Sequence, residues 1–314
     1  MSSTLQSPPD HVEAPTSDHR VAPVPRDPQP HPRTRMMLML AAVFGIATII
    51  TGSINSATGS GFACPTWPGC YPGQFGPERE VHDIIEFGHR LIAGSTGFVL
   101  LAAALVALRL PRVQWMARWL PWVSVAGAVV AAVVGRLVVL NLGVAKPLAL
   151  FDLFGALAVL VAATLASLSI NRGAPLWQWT PLSRLATACT AGLYALYLGG
   201  IVVAGKGSFT AVVGWPMWRL VGADGPVWLQ VARMVLAVAV AVGLALLVKR
   251  GWRVASLRPV LATIVVLFVV ELIVGQLMAT LGVDMWWAAA HCSAAGLMLV
   301  CTTLVMGRTG LDGL

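Results

Sequence analysis

A chain of 314 residues with 57% hydrophobic and 11% charged positions lacks the composition of a soluble domain, which carries about a quarter charged residues. Its net charge of +8 invites a nucleic-acid reading, but the basic residues sit in short loops between apolar runs, where they report membrane topology instead. Soluble-enzyme and nucleic-acid-binding classes are both excluded, and the length is to be read as membrane spans.

Residues 1–35 are rich in Pro, Ser, Asp and His without apolar periodicity, so a disordered tail is expected, with His11, His19 and His31 solvated in it. The tail is too long and polar to open a cleavable signal peptide, so the first apolar run is expected to be retained as an anchor. A spanning helix needs about 20 apolar residues. Eight segments qualify, at 36–58, 81–109, 119–141, 148–170, 185–205, 226–248, 259–282 and 286–306. The expected fold is therefore an all-α polytopic membrane protein. Arg33 and Arg35 precede the first span, Arg112 and Arg118 follow the second, and Arg172 and Arg184 the fourth. Lys249, Arg250 and Arg253 follow the sixth, and Arg308 the last. The alternate loops are poorer in Lys and Arg, so the positive-inside rule puts both termini in the cytoplasm. The 59–80 loop then faces the oxidising side, where a disulfide persists.

The chain repeats itself. TGSINSATGSGFACPTWP (51–68) resembles LGGIVVAGKGSFTAVVGWP (198–216), and GHRLIAGSTGFVLLAAALVAL from Gly88 lines up with VARMVLAVAVAVGLALLVKR from Val231. LVVLNLGVAKPLALFD lines up with LMATLGVDMWWAAAHC through Leu-Gly-Val. This register sets Ala232 opposite His89 and Asp152 opposite His291. Two tandem four-helix-bundle halves of one orientation are expected, 36–170 and 171–314, and such bundles hold cofactors between facing helices.

VHDIIEFGHRL (81–91) opens the second span with ionisable residues, each an expected functional site at membrane depth. His82, Glu86 and His89 share a helical face, and Gly88, Gly94 and Gly97 leave the helix bare enough for a flat macrocycle. His291 lies in WWAAAHCSAAG, a run of small residues near one end of the last span. An imidazole is a standard axial ligand for haem iron, and a carboxylate beside it serves as acid, base or proton relay. The other readings are that His89 and Glu86 merely satisfy each other, or that His82 joins them in a small metal site. Arg90, Arg136 and Arg233 suit haem propionates or ion pairs with Asp152 or Glu271. Cys64 and Cys70 lie in a proline-stiffened loop and could close a ring, either as a staple or as a redox-active dithiol. Cys189, Cys292 and Cys301 read as apolar packing residues, and Trp177, Trp179, Trp215 and Trp218 as interfacial anchors.

On TGSGFACPTWPGC in the first long loop, Glu86-x-x-His89-Arg90 and the tandem eight-span pattern, the chain resembles the heme A synthase family. The resemblance covers nearly everything after the tail. It implies oxidation of the C8 methyl of haem O to a formyl group, giving haem A for terminal oxidases of the cell membrane. It makes haem O the substrate, held in the first half, and haem b a cofactor held in the second. It makes Glu86 the essential carboxylate, His89 and His291 haem ligands, and Cys64–Cys70 a disulfide. It also implies membrane lipid, haem O synthase, oxidase assembly factors and a second copy of the chain as partners. The family's pattern has a histidine in each of the second, fourth, sixth and eighth spans; here Asp152 and Ala232 replace two of them. That departure keeps a second reading open, a non-catalytic haem-binding or oxidase-assembly protein of the same family.

Overall fold

The computed structural model describes residues 32–139, 146–170, 172, 176–203, 214–216, 226–282 and 284–314. The expected tail and its three histidines lie outside them, except for residues 32–35, which already belong to a helix. Among the described residues eight helices are long and apolar enough to cross a membrane, and no strand forms. They are α1 (Pro32–Ala57), α2 (Val81–Ala107), α3 (Trp115–Val139), α4 (Lys146–Ser169), α5 (Pro181–Val203), α6 (Val227–Gly251), α7 (Arg258–Leu281) and α8 (Met285–Asp312). Each expected span has its helix.

The boundaries move where polar residues extend a helix. Helices α1 and α5 start four residues before the apolar runs, at Pro32 and Pro181, because proline's missing N–H and fixed φ suit a first turn. Helix α8 begins where the Asp284 carboxylate accepts the Trp286 N–H at 2.9 Å, a capping bond that satisfies an orphan donor. It outruns the expected end at 306, and within the added turn Thr309 donates its hydroxyl to the Val305 carbonyl at 2.9 Å. It stops at Gly313, whose φ of 69° is left-handed, the conformation that glycine adopts at helix ends without steric cost.

Helix α1 packs against α2, α4 and α8, while α8 also packs against α5 and α7 and is the most enclosed of the eight. Small residues make close approach possible between membrane helices. A methyl group built on Gly127 of α3 would lie 2.6 Å from the Gly155 carbonyl oxygen of α4, so this crossing admits glycine only. Thr48 of α1 and Thr96 of α2 share a 2.6 Å hydrogen bond, a type worth about 0.6 kcal/mol in a membrane bundle. Thr302 and Thr303, fully buried in α8, return their hydroxyls to Leu299. Large apolar side chains such as Phe98, Val235 and Val266 point outward, as a lipid-facing surface requires. Trp215 differs from its expected place at an interface. It is 7% exposed and packs edge-on against Phe268 at 4.7 Å.

Candidate functional site

His89 stands on the third turn of α2, half-buried against α1. Its Nδ1 lies 3.2 Å from Thr51 Oγ1, and the Thr51 hydroxyl proton is already given to the Ala47 carbonyl at 2.9 Å. Threonine has one proton to donate, so its oxygen accepts from His89 Nδ1–H, and the tautomer leaves Nε2 without a proton and, among the described residues, without a hydrogen-bond partner. That is the usual preparation of an imidazole for a metal: one nitrogen held by a hydrogen bond to a neighbour, the other left as the donor to the metal. Gly52 supplies the room, since a methyl group there would stand 3.1 Å from His89 Cε1.

His82, Glu86 and His89 share a face of α2 but take separate partners. His82 Nδ1 meets Ser60 Oγ at 2.9 Å, Ser60 meets Thr58 at 2.6 Å, and Thr58 donates to the Ile54 carbonyl at 2.8 Å. Glu86, 2% exposed, does not pair with His89. Its Oε2 accepts the Cys64 N–H at 2.7 Å, and its Oε1 accepts from Arg90 Nη2, one turn on along α2. Arg90 in turn donates to the carbonyls of Cys64 at 2.9 Å, Thr66 at 2.5 Å and Gly69 at 2.9 Å. Carboxylate and guanidinium together form a clasp that draws the 64–70 loop onto α2. Cys64 and Cys70, both buried, are joined by a disulfide within that loop. Among the described residues no group of three or more His, Cys, Asp and Glu side chains could hold a metal ion.

A further bond fastens the loop: Tyr71 Oη donates to Asp83 Oδ2 at 2.6 Å. This bond to a carboxylate is the main reason why the phenol is pushed up from its ordinary value of 10.0 to about 12. Arg136, exposed near the end of α3, lies with its guanidinium carbon 5.7 Å from the centroid of the Trp67 ring, within cation–π reach.

The second half is built otherwise. His291 is 2% exposed; its Nδ1 lies 3.4 Å from Glu271 Oε2. A methyl group built on Gly214 would overlap its Cδ2–Nε2 edge. Glu271, on α7, accepts the Trp215 N–H at 2.7 Å, and Arg233, on α6, donates to the Gly214 carbonyl at 2.7 Å. The clasp of the first half thus recurs, with its carboxylate taken from a different helix: the register that pairs Arg90 with Arg233 puts Leu229 opposite Glu86. Ala232 is exposed on α6, and Asp152 is half-buried on α4.

His89 therefore fits haem ligation, with an open Nε2, a fixed tautomer and a glycine beside it. His291 does not, because Glu271 and Gly214 cover both of its nitrogens. Sequence reasoning missed Thr51, Gly52 and Tyr71. The signal for the first was available: the repeat replaces Thr51 by Leu198 where it replaces His89 by Ala232, so the histidine and its hydrogen-bond partner vanish together.

No protein-family model matches the chain. It is 27% identical over 164 residues to a heme A synthase of Shouchella clausii, covering 48% of this chain and 51% of that protein. It is 32% identical over 107 residues to a heme A synthase of Bacillus pumilus, covering 33% and 34%. A protoheme IX farnesyltransferase of Halobacterium salinarum is 34% identical over 73 residues, covering 23% of this chain and 16% of that protein. The chain thus spans about half or less of the curated relatives it matches, and the heme A synthases among them support the family resemblance carried by the first loop and Glu86-x-x-His89-Arg90.

Proposed function

From the likeness to heme A synthases and the geometry around His89, we propose that this protein is a haem-modifying membrane oxidoreductase. Its reaction is oxidation of the C8 methyl of haem O to a formyl group. The observation that carries the reading is His89 with Nδ1 held by Thr51 and Nε2 open. His89 Nε2 would hold the iron of the substrate haem, which supplies the redox chemistry when bound. The chain's own residues orient the ligand and close the site. Thr51 sets the imidazole tautomer, Gly52 gives the ring its room, and the clasp seats the disulfide loop at the head of α2. Glu86 has a partner on each oxygen, so its part in the reaction is to position that loop and Arg90. A half-site in 36–170 around His89, both termini in the cytoplasm, a plasma-membrane location and partnership with haem O synthase and oxidase assembly factors belong to the same proposal.

The test is haem extraction and chromatography on the purified chain, co-expressed with and without a source of haem O. Haem A or its hydroxylated intermediate, dependent on that source, is the expected result. Haem B alone in both cases would replace this reading by the second one, a haem-binding or assembly protein. Asp152 and Ala232 at two ligand positions, and the engagement of both Glu86 oxygens, favour that alternative.

A further inference from the structure

We propose that the second half takes no haem: the segment 214–216 is seated over His291 and fastened there, and haem binds at His89 alone. Three independent features support this. First, His291 has no free edge. Its Nδ1 faces Glu271 Oε2 at 3.4 Å, and Gly214 lies against the Cδ2–Nε2 edge. Iron ligation needs a ring nitrogen open to a planar macrocycle, and at 2% exposure His291 offers none.

Second, the covering segment is bonded in place. Trp215 N–H is given to Glu271, and the Gly214 carbonyl accepts from Arg233. Trp215 itself joins the core, 7% exposed and against Phe268. Admitting a macrocycle would break both of these hydrogen bonds and would expose a buried indole. Among the described residues, the buried Tyr197 Oη, Glu271 Oε1 and His291 Nδ1 find no hydrogen-bond partner. Such atoms suit enclosed water rather than an apolar porphyrin face.

Third, the repeat shows the His89 arrangement dismantled at its counterpart. Ala232 stands for His89 and Leu198 for Thr51. Beside Gly199, which matches Gly52, lies the stem of Arg233, its Cδ 3.7 Å from the place of a methyl group. The first half keeps a clasp and a haem-competent histidine side by side; the second keeps only the clasp.

The assignment of haem to His89 rests on the proposed function, whereas the exclusion at His291 does not. The full-length chain in detergent is titrated with haem b and scored by the pyridine haemochrome ratio of haem to protein. The comparison set is the wild type, His89→Ala, His291→Gln and Ala232→His. A single haem per chain is expected in the wild type and unchanged in His291→Gln. Binding weakens at least about tenfold in His89→Ala, the scale on which metal-site ligands and their partners act. Ala232→His gains no second haem, because its position faces the surface while His291 stays covered. Two haems in the wild type, a halved ratio in His291→Gln, or a second low-spin haem in Ala232→His would overturn the exclusion. Haem absent from every variant would instead overturn the assignment to His89, and the proposed function with it.

Discussion

Replacing Glu86 tests whether the clasp holds the first loop. Glu86→Ala takes the acceptor from the Cys64 N–H, which it meets at 2.7 Å, and the carboxylate from Arg90. A buried donor left unpaired costs about 1–3 kcal/mol, and breaking a buried ion pair by removing one partner costs about 3–5 kcal/mol. Arg90 keeps three carbonyls and 13% of its side-chain exposure, so the low ends apply, about 4 kcal/mol together. Glu86→Gln keeps an acceptor for the Cys64 N–H but turns an amide N–H toward Arg90 in place of the second oxygen, a lost bond at about 1 kcal/mol. The readout is hydrogen exchange at the Cys64 amide, which reports local opening. Each 1.4 kcal/mol is a factor of ten, so about 4 kcal/mol gives exchange several hundredfold faster in Glu86→Ala, and Glu86→Gln only severalfold. Unchanged protection at Cys64 in Glu86→Ala, with helix content intact, would refute the reasoning.

Thr51→Val keeps shape and removes the acceptor for His89 Nδ1–H; loss of the partner that orients a ligating histidine weakens metal ligation by about 10–100-fold, measurable as the haem dissociation constant. Cys64→Ser with Cys70→Ser opens a ring with a sequence separation of 6. Chain-entropy loss from so short a loop predicts a cost of about 2 kcal/mol, read as a lowered thermal midpoint under oxidising conditions and none under reducing ones. Tyr71 carries a pH dependence. Its folded-state pKa of about 12 lies above the ordinary 10.0, so its bond to Asp83 contributes fully below pH 10 and is lost as pH climbs through 12. Absorbance titration near 295 nm should place near 12 the phenol step that disappears in Tyr71→Phe; a step lost at the ordinary value of 10.0 would contradict the bond.

The sequence by itself determined the architecture. Eight apolar runs of spanning length leave a backbone in lipid no option but helix, and each run has its helix, with ends displaced by a few residues. It also singled out His89 and the cysteine loop, because ionisable residues in an apolar run and a long polar loop between spans are visible without coordinates. The pairing within α2 was not visible. Glu86 stands one turn from both His89 and Arg90, and helical periodicity allows either partner. The fold decides, by bringing the Cys64 N–H and three loop carbonyls to the Arg90 side and Thr51 to His89. The second clasp was hidden for the same reason. Its carboxylate, Glu271, lies on α7 rather than at the repeat's own position. The difference between His89 and His291 is also tertiary: both are histidines in apolar spans, but only packing decides which nitrogen is covered by a neighbouring backbone and which is left open.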